Sequence, residues 1–273
     1  MFAHPNVLTI AGADSGAGAG MQADLKTIQA LGGYGLAVVT ALTAQNGARV
    51  AGIFPASPEF VLLQLQTIKE GFPLASAKTG MLFSAEIIHV VSQFLADTTF
   101  PLVVDPVAVS QSGAQLLQDS AVECLKAELL PRCDVLTPNI PETTLLTGIP
   151  ISDEASIFEA GKCLLESVRG AVIIKGGHLT GPLVTDYLFT HNAEPQPFSI
   201  PRLICNNNHG TGCSFSAVLA TCLALGDSVK AALAKAQTFL TFALKDSYNP
   251  GKGAGPLNHA FAFEELITKL WRS

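Results

Sequence analysis

Short apolar runs, each closed by glycine or a polar residue, alternate along the chain with longer segments whose apolar positions recur every three or four residues. Residues 7–11, 35–42, 75–79, 102–104, 134–137 and 171–174 are the short runs, and their length and burial-compatible composition predict buried strands. The longer segments predict helices: in 21–31, Met21, Leu25, Ile28 and Leu31 share a face while Gln22 and Lys26 lie off it. Further helices are expected after Ser57-Pro58-Glu59, over 84–95, from near Pro141, over 214–225 and 228–244, and in an amphipathic tail ending near Trp271. Strands alternating with helices imply right-handed crossovers and a doubly wound α/β sheet. Only 184–189 and 198–200, separated by the turn-like His191-Asn192, read as antiparallel strands.

The strand ends carry the chemistry. The run at 102–104 ends in Asp105-Pro106, that at 134–137 in Pro138-Asn139-Ile140-Pro141-Glu142, and that at 171–174 in Lys175-Gly176-Gly177-His178. A doubly wound sheet binds its ligand in the crevice outside the carboxyl ends of its strands, so Asp105, Asn139, Glu142 and Lys175 are expected to meet there. Each has a plainer role available: Asp105-Pro106 as a turn, Asn139 as a helix cap, Lys175 as a surface charge.

Asn206-Asn207-Asn208-His209-Gly210-Thr211-Gly212-Cys213 leads into the helix expected at 214–225, which Gly226 should stop. Ser216, Ala217, Ala220 and Ala224 would let that helix lie close against the sheet. Its start can aim backbone N–H groups and the positive end of the helix dipole at an anion. Cys213 falls in the first turn, a position that favours the thiolate and marks it as a candidate general base; the plainer role is a buried core thiol. The other glycine-rich loop, Gly12 to Gly20, lacks the third glycine of a dinucleotide fingerprint, and no acidic residue occurs between Asp24 and Glu59 to take a ribose hydroxyl. Walker-type and protein-kinase signatures are absent as well. Asp24 lies in a first helical turn, where a surface carboxylate facing the dipole is the ordinary role.

A chain of 273 residues with 48% hydrophobic and 14% charged positions suits one large α/β domain spanning 1–273. The net charge of −6, with 16 scattered basic residues, argues against nucleic acid as a partner. No apolar run reaches membrane-spanning length and the start has no secretory pattern, so a cytoplasmic protein is expected, with its six cysteines reduced and no structural zinc.

With these residues in view, the chain resembles the hydroxymethylpyrimidine/phosphomethylpyrimidine kinases of thiamine biosynthesis, within the ribokinase-like superfamily. The resemblance runs nearly end to end, through Ile10-Ala11-Gly12 with residues 18–27, Thr40-Ala41-Leu42-Thr43-Ala44-Gln45-Asn46, Lys78-Thr79-Gly80-Met81-Leu82, and Val104-Asp105-Pro106-Val107. It continues in residues 136–142, Lys175-Gly176-Gly177-His178 and His209-Gly210-Thr211-Gly212-Cys213. It implies a ribokinase-like three-layer sandwich, a mostly parallel central sheet flanked by helices with a small antiparallel edge. The activity implied is phosphorylation by ATP with Mg²⁺ of 4-amino-5-hydroxymethyl-2-methylpyrimidine, then of the monophosphate to the diphosphate. By the same resemblance Cys213 is the base, Gly210, Thr211 and Gly212 form the anion hole, and Lys175, Asn139, Asp105 and Thr211 contact the nucleotide. Glu142 and Asp105 serve the metal; Asp24 and Gln45 hydrogen-bond the aminopyrimidine between Gly12, Ala19, Met81 and Val107. A homodimer is implied too.

Two departures stand out. After Asp105-Pro106 the family's Val-Met-Val-Ala-Lys-Ser-Gly is replaced by Val107-Ala108-Val109-Ser110-Gln111-Ser112-Gly113, and the lost lysine points to the first phosphorylation as the favoured step. The first loop reads Asp14-Ser15-Gly16-Ala17-Gly18, a small variation on the family's spacing. Two alternatives remain at this point: a pyridoxal or pyridoxine kinase of the same subfamily, and a non-catalytic pyrimidine-binding regulator.

Overall fold

In the computed structural model, residues 4–108 and 116–263 are described. Nine strands form one sheet: β1 Asn6–Asp14, β2 Tyr34–Asn46, β3 Arg49–Pro55, β4 Leu74–Thr79, β5 Leu102–Val104, β6 Val135–Leu136, β7 Ala171–Ile174, β8 Leu183–Thr190 and β9 Gln196–Pro201. The helices are α1 Gly20–Ala30, α2 Pro58–Gly71, α3 Ala85–Leu95, α4 Asp119–Cys124, α5 Ile140–Thr147, α6 Glu154–Leu165, α7 Thr211–Ala224 and α8 Val229–Lys245. The strand order is β3-β2-β1-β4-β5-β6-β7-β8-β9. From β2 to β7 neighbours run parallel, while β3 at one edge and β8 and β9 at the other are antiparallel.

Two cores follow from the two-residue period of a strand buried on both faces. Leu8, Leu102, Val104, Leu136, Val172 and Ile174 point into the layer with α2, α3 and α6. Val7, Val103, Val135, Ala171 and Ile173 point into the layer with α1, α7 and α8. The small residues of α7 do what their spacing predicts: Ser216, Ala217 and Ala220 are fully buried, and Ser76 Oγ of β4 donates to the Ala220 carbonyl at 2.8 Å. A larger residue there would hold the helix off the sheet.

Helix ends obey local chemistry. Ser57, Ser84 and Ser228 cap α2, α3 and α8 by accepting backbone N–H groups. α7 stops before Gly226, whose φ of 90° is the left-handed conformation that glycine tolerates.

Three features depart from the sequence reading. β1 runs through Gly12 to Asp14, with a register shift between Ala11 and Ala13, instead of ending at Ala11. β2 continues past Leu42 to Asn46 and turns back as β3; the turn is held by Asn46 Oδ1, which accepts from Ala48 N and Arg49 N. β3 is largely exposed, so it lacks the apolar alternation by which a strand is recognised. α4, and α6 with its capping by Asp153 and Ser156, were not foreseen. The expected helix ending near Trp271 lies outside the described residues. Among the described residues, no helix is long and apolar enough to cross a membrane.

Candidate active site

Because the central strands are parallel, their carboxyl ends open on one side of the sheet, and there a cavity of about 690 Å³ runs across β1, β2 and β4–β7 to the start of α7. Gly12, Ala19, Gln45, Met81, Asp105, Val107, Asn139, Glu142, Lys175 and Gly210 to Cys213 all line it. Of the residues singled out from sequence, Asp24 alone does not.

Two glycine turns meet at one end. Gly210 caps α7 with φ 88°, and a Cβ there would lie 1.9 Å from the Gly18 carbonyl oxygen. A Cβ on Gly18 would in turn approach the His209 ring at 2.4 Å. The first glycine loop therefore abuts the Gly210 turn, and only residues without a side chain allow it. Thr211 N donates to the Asn208 carbonyl at 3.3 Å and the first intrahelical bond is Ser214 N to the Gly210 carbonyl at 2.9 Å, so the N–H groups of Gly212 and Cys213 precede the helix ladder at the cavity wall, where the dipole favours an anion.

Opposite them stands a charged cluster. Lys175 Nζ donates to Asp105 Oδ1 at 2.8 Å, and Ser216 Oγ donates to Asp105 Oδ2 at 3.3 Å. The Cβ position of Gly212 is only 3.6 Å from Lys175 Nζ, so ammonium and helix start address the same point. Burial pulls the Lys175 ammonium down, but Asp105 and Glu142 outweigh it and the net shift is upward, so it stays charged. Asn139 and Glu142 form a reciprocal capping box on α5: Asn139 Oδ1 accepts from Glu142 N at 2.9 Å, and Glu142 Oε2 accepts from Asn139 N at 2.8 Å. The cap foreseen as the plain alternative for Asn139 is therefore present, and it also locks Glu142 in the cavity wall. Burial, helped by Asp105 and opposed by Lys175, pushes Glu142 up to about 7.

Cys213 needs a correction. The helix start was expected to favour its thiolate, yet burial pushes the thiol up to about 11. Lys78 and a hydrogen bond from the Gly20 backbone pull it down, while the carboxylates of Asp24 and Asp105 push it further up. A thiol pushed that high is protonated at neutral pH.

Asp24 is corrected twice. It is neither a surface carboxylate nor part of the cavity wall: it is 0% exposed. Both its oxygens accept from Lys78 Nζ, at 2.9 and 2.8 Å, and Oδ2 also accepts from Thr9 Oγ1 at 2.6 Å. The carboxylate is occupied beneath the floor, and Lys78, itself 1% exposed, is the charge that reaches the cavity. A polar residue four positions into a helix looks surface-facing until the strand opposite is known to carry its partner. Sequence reasoning also assigned no role to Lys78, Asp14 or His209, although all three line the cavity. Nor did it locate the apolar far end, where Val184, Ile200, Leu240 and Leu244 converge from β8, β9 and α8. Gln111 and its neighbours lie outside the described residues.

The comparisons agree with this geometry. A family model described as phosphomethylpyrimidine kinase matches residues 14–258. The hydroxymethylpyrimidine/phosphomethylpyrimidine kinase of Haemophilus influenzae is 47% identical over 264 residues, 95% of this chain and 98% of that protein. The thiamine biosynthesis bifunctional protein ThiED of Geobacter sulfurreducens is 46% identical over 97% of this chain, which spans 54% of that longer protein. Among solved structures, an ADP complex of Bacillus subtilis pyridoxal kinase superposes with a TM-score of 0.88 at 31% identity, covering 95% of this chain and 99% of that one. With the family model matching most of the chain and such identity along nearly the whole length, this chain belongs to the phosphomethylpyrimidine kinase family of phosphotransferases.

Proposed function

We propose that the chain uses Mg-ATP to phosphorylate the hydroxymethyl group of 4-amino-5-hydroxymethyl-2-methylpyrimidine, and then the monophosphate, in thiamine biosynthesis. The observation that carries this reading is a single strand-end cavity with three chemically distinct parts. Gln45, Met81 and Val107 line one end, Lys175 and the α7 start the centre, and Val184, Ile200, Leu240 and Leu244 the other. An amide beside apolar walls suits a heterocycle bearing both donors and acceptors. The central cations and N–H groups suit phosphates, and the apolar end suits a purine base.

No group of three His, Cys, Asp or Glu side chains among the described residues is arranged to hold a cation unaided. Glu142 and Asp105, however, are both buried carboxylates, and the charge of Asp105 helps push Glu142 up, a repulsion that a divalent cation arriving with a triphosphate would relieve. They fit Mg²⁺ shared with the nucleotide, and the charge it would supply offsets that of the phosphates and of Asp105. Lys175 and the Gly210–Gly212 N–H groups would stabilise the negative charge on the transferring phosphoryl oxygens. Cys213 Sγ, its own proton released to solvent once the surrounding negative charge is offset, would take the hydroxyl proton as the substrate oxygen bonds to the γ-phosphorus and the bond from that phosphorus to the leaving ADP oxygen breaks. We also infer a homodimer, which light scattering on the purified chain tests.

The second reading is a pyridoxal kinase, favoured by the 0.88 TM-score of the Bacillus subtilis enzyme. Identity favours the pyrimidine: 47% against 31%. Purified protein with Mg-ATP and hydroxymethylpyrimidine, its monophosphate or pyridoxal should release ADP fastest with the first. Faster release with pyridoxal would reverse the assignment, and none with any substrate would leave only a binding protein.

A further inference from the structure

Asp14 ends β1 with its carboxylate buried. Oδ1 accepts from Gly16 N at 2.8 Å; Oδ2 accepts from Gly18 N at 3.0 Å and Ala19 N at 2.8 Å, and lies 3.0 Å from His209 Nε2. Burial alone would raise this carboxyl, but the hydrogen bonds from His209, Ala19 and Gly16 outweigh it and hold it below the usual range. An ionised carboxylate only accepts, so the facing His209 Nε2 must carry a hydrogen, whatever the net charge of the ring.

That hydrogen constrains Gln45. One end of the Gln45 amide lies 3.3 Å from the same ring nitrogen, and the other lies 3.2 Å from Thr43 Oγ1, which donates to the Ala13 carbonyl at 2.9 Å. An amide N–H has nothing to donate to at a nitrogen already bearing hydrogen. Amide oxygen and nitrogen have the same shape, and the hydrogen-bond network decides between them. Only one orientation avoids setting two N–H donors against each other: Gln45 Oε1 faces His209 Nε2–H, whose hydrogen it shares with Asp14 Oδ2, and one Gln45 N–H donates to Thr43 Oγ1. The second N–H is then what the amide offers the cavity.

The ring has little freedom to release this constraint. Gly18 packs against it, as the 2.4 Å approach of a Cβ there indicates. Its backbone is held by the Gly255 carbonyl, which accepts from His209 N at 3.1 Å. The same tail loop reaches the β2–β3 turn, where Ala254 N donates to the Gly47 carbonyl at 2.8 Å. One loop thus ties the strand bearing Gln45 to the backbone bearing His209.

We propose that His209, oriented by Asp14, is a specificity-setting positioning residue that locks the Gln45 amide with an N–H toward the ligand, selecting heterocycles that present a ring-nitrogen acceptor to it. This rests on the pyrimidine reading above. The test compares dissociation constants, by calorimetry, of 4-amino-5-hydroxymethyl-2-methylpyrimidine and of 2-aminobenzyl alcohol, which keeps the amino and hydroxymethyl groups but has carbon at both ring-nitrogen positions. In His209→Leu the preference for the pyrimidine should fall about tenfold, because the amide can turn its oxygen to the ring nitrogen. His209→Gln, which restores an N–H near the place of Nε2, should recover most of it, and ATP binding should be unchanged in both. An unchanged preference, or equal weakening of both ligands and ATP, would overturn the proposal. Nitrogen-15 NMR of the histidine-labelled wild type provides a measurement that needs no variant: His209 Nε2 should carry hydrogen, and a bare Nε2 would overturn it equally. If the wild type neither binds nor phosphorylates the pyrimidine, the functional reading fails instead, while the NMR result still reports on the Asp14–His209–Gln45 network.

Discussion

Cys213 and Glu142 are both held in the protonation state that the proposed chemistry must reverse. Cys213 is a thiol near 11 because burial and two carboxylates outweigh Lys78. Cys213→Ala should lower kcat by about 10²–10⁴ while leaving the dissociation constants of both substrates within a few-fold, since only a proton acceptor is lost. A kcat close to that of the wild type would remove the thiol from the mechanism. Glu142 titrates at about 7 against 4.5 for an exposed glutamate. A carboxyl with a raised folded-state value contributes stability that is fully present below 4.5 and is lost as pH rises through 7. Glu142→Gln should therefore melt above the wild type at pH 8, with the difference vanishing toward pH 4.5. The same substitution should abolish any rise of kcat/KM for Mg-ATP on passing through pH 7. Lys78 and Asp24 are a third case: their pairing is legible only once β4 and α1 are adjacent, because 54 residues separate them.

Among the elements, α7 concentrates the most constraint. Its small residues bring it onto β4, its first turn supplies the N–H groups, and its start is fixed by the Gly210–Gly18 contact. Gly210→Ala would place a methyl group 1.9 Å from a carbonyl oxygen in a backbone conformation that alanine resists. Activity should fall at least about a hundredfold, since displacing the positioning groups by about 1 Å can cost that much. A melting temperature lowered with activity intact would show instead that the turn serves stability alone. The helix, its Gly226 stop and its small-residue face were all readable in sequence because they depend on neighbours three or four positions away. The β2–β3 hairpin was not, because its exposed residues carry no burial pattern; its turn is held by one asparagine side chain.

For the whole molecule, the cavity joins β2 and the central strand ends to the β8–β9 edge, α7 and α8, so a nucleotide filling its apolar end would couple elements far apart in sequence. ADP at about a hundred times its Kd should stabilise the fold by about 2.7 kcal/mol, visible as a rise of several degrees in Tm. Leu240→Gln, at the apolar end, should reduce that rise without changing pyrimidine affinity. Equal losses for both ligands would mean that the two ends are not separate subsites.

The sequence by itself determined the alternation of strands and helices, the crevice at the strand ends, and the residue types that reach it, because these rest on short-range periodicity and on where polar groups follow apolar runs. It also carried the family, through ordered motifs spread along the chain. Tertiary structure alone decided the pairings. It moved Asp24 beneath the floor and put Lys78 in its place, made Asn139 both cap and wall, turned Cys213 into a neutral thiol, and set Asp14 and His209 beside Gln45. The physical reason is the same in each instance: a side chain's charge, tautomer or orientation is fixed by the groups within hydrogen-bonding or Coulombic reach. In a parallel sheet those groups come from strand ends and helix starts remote in the chain.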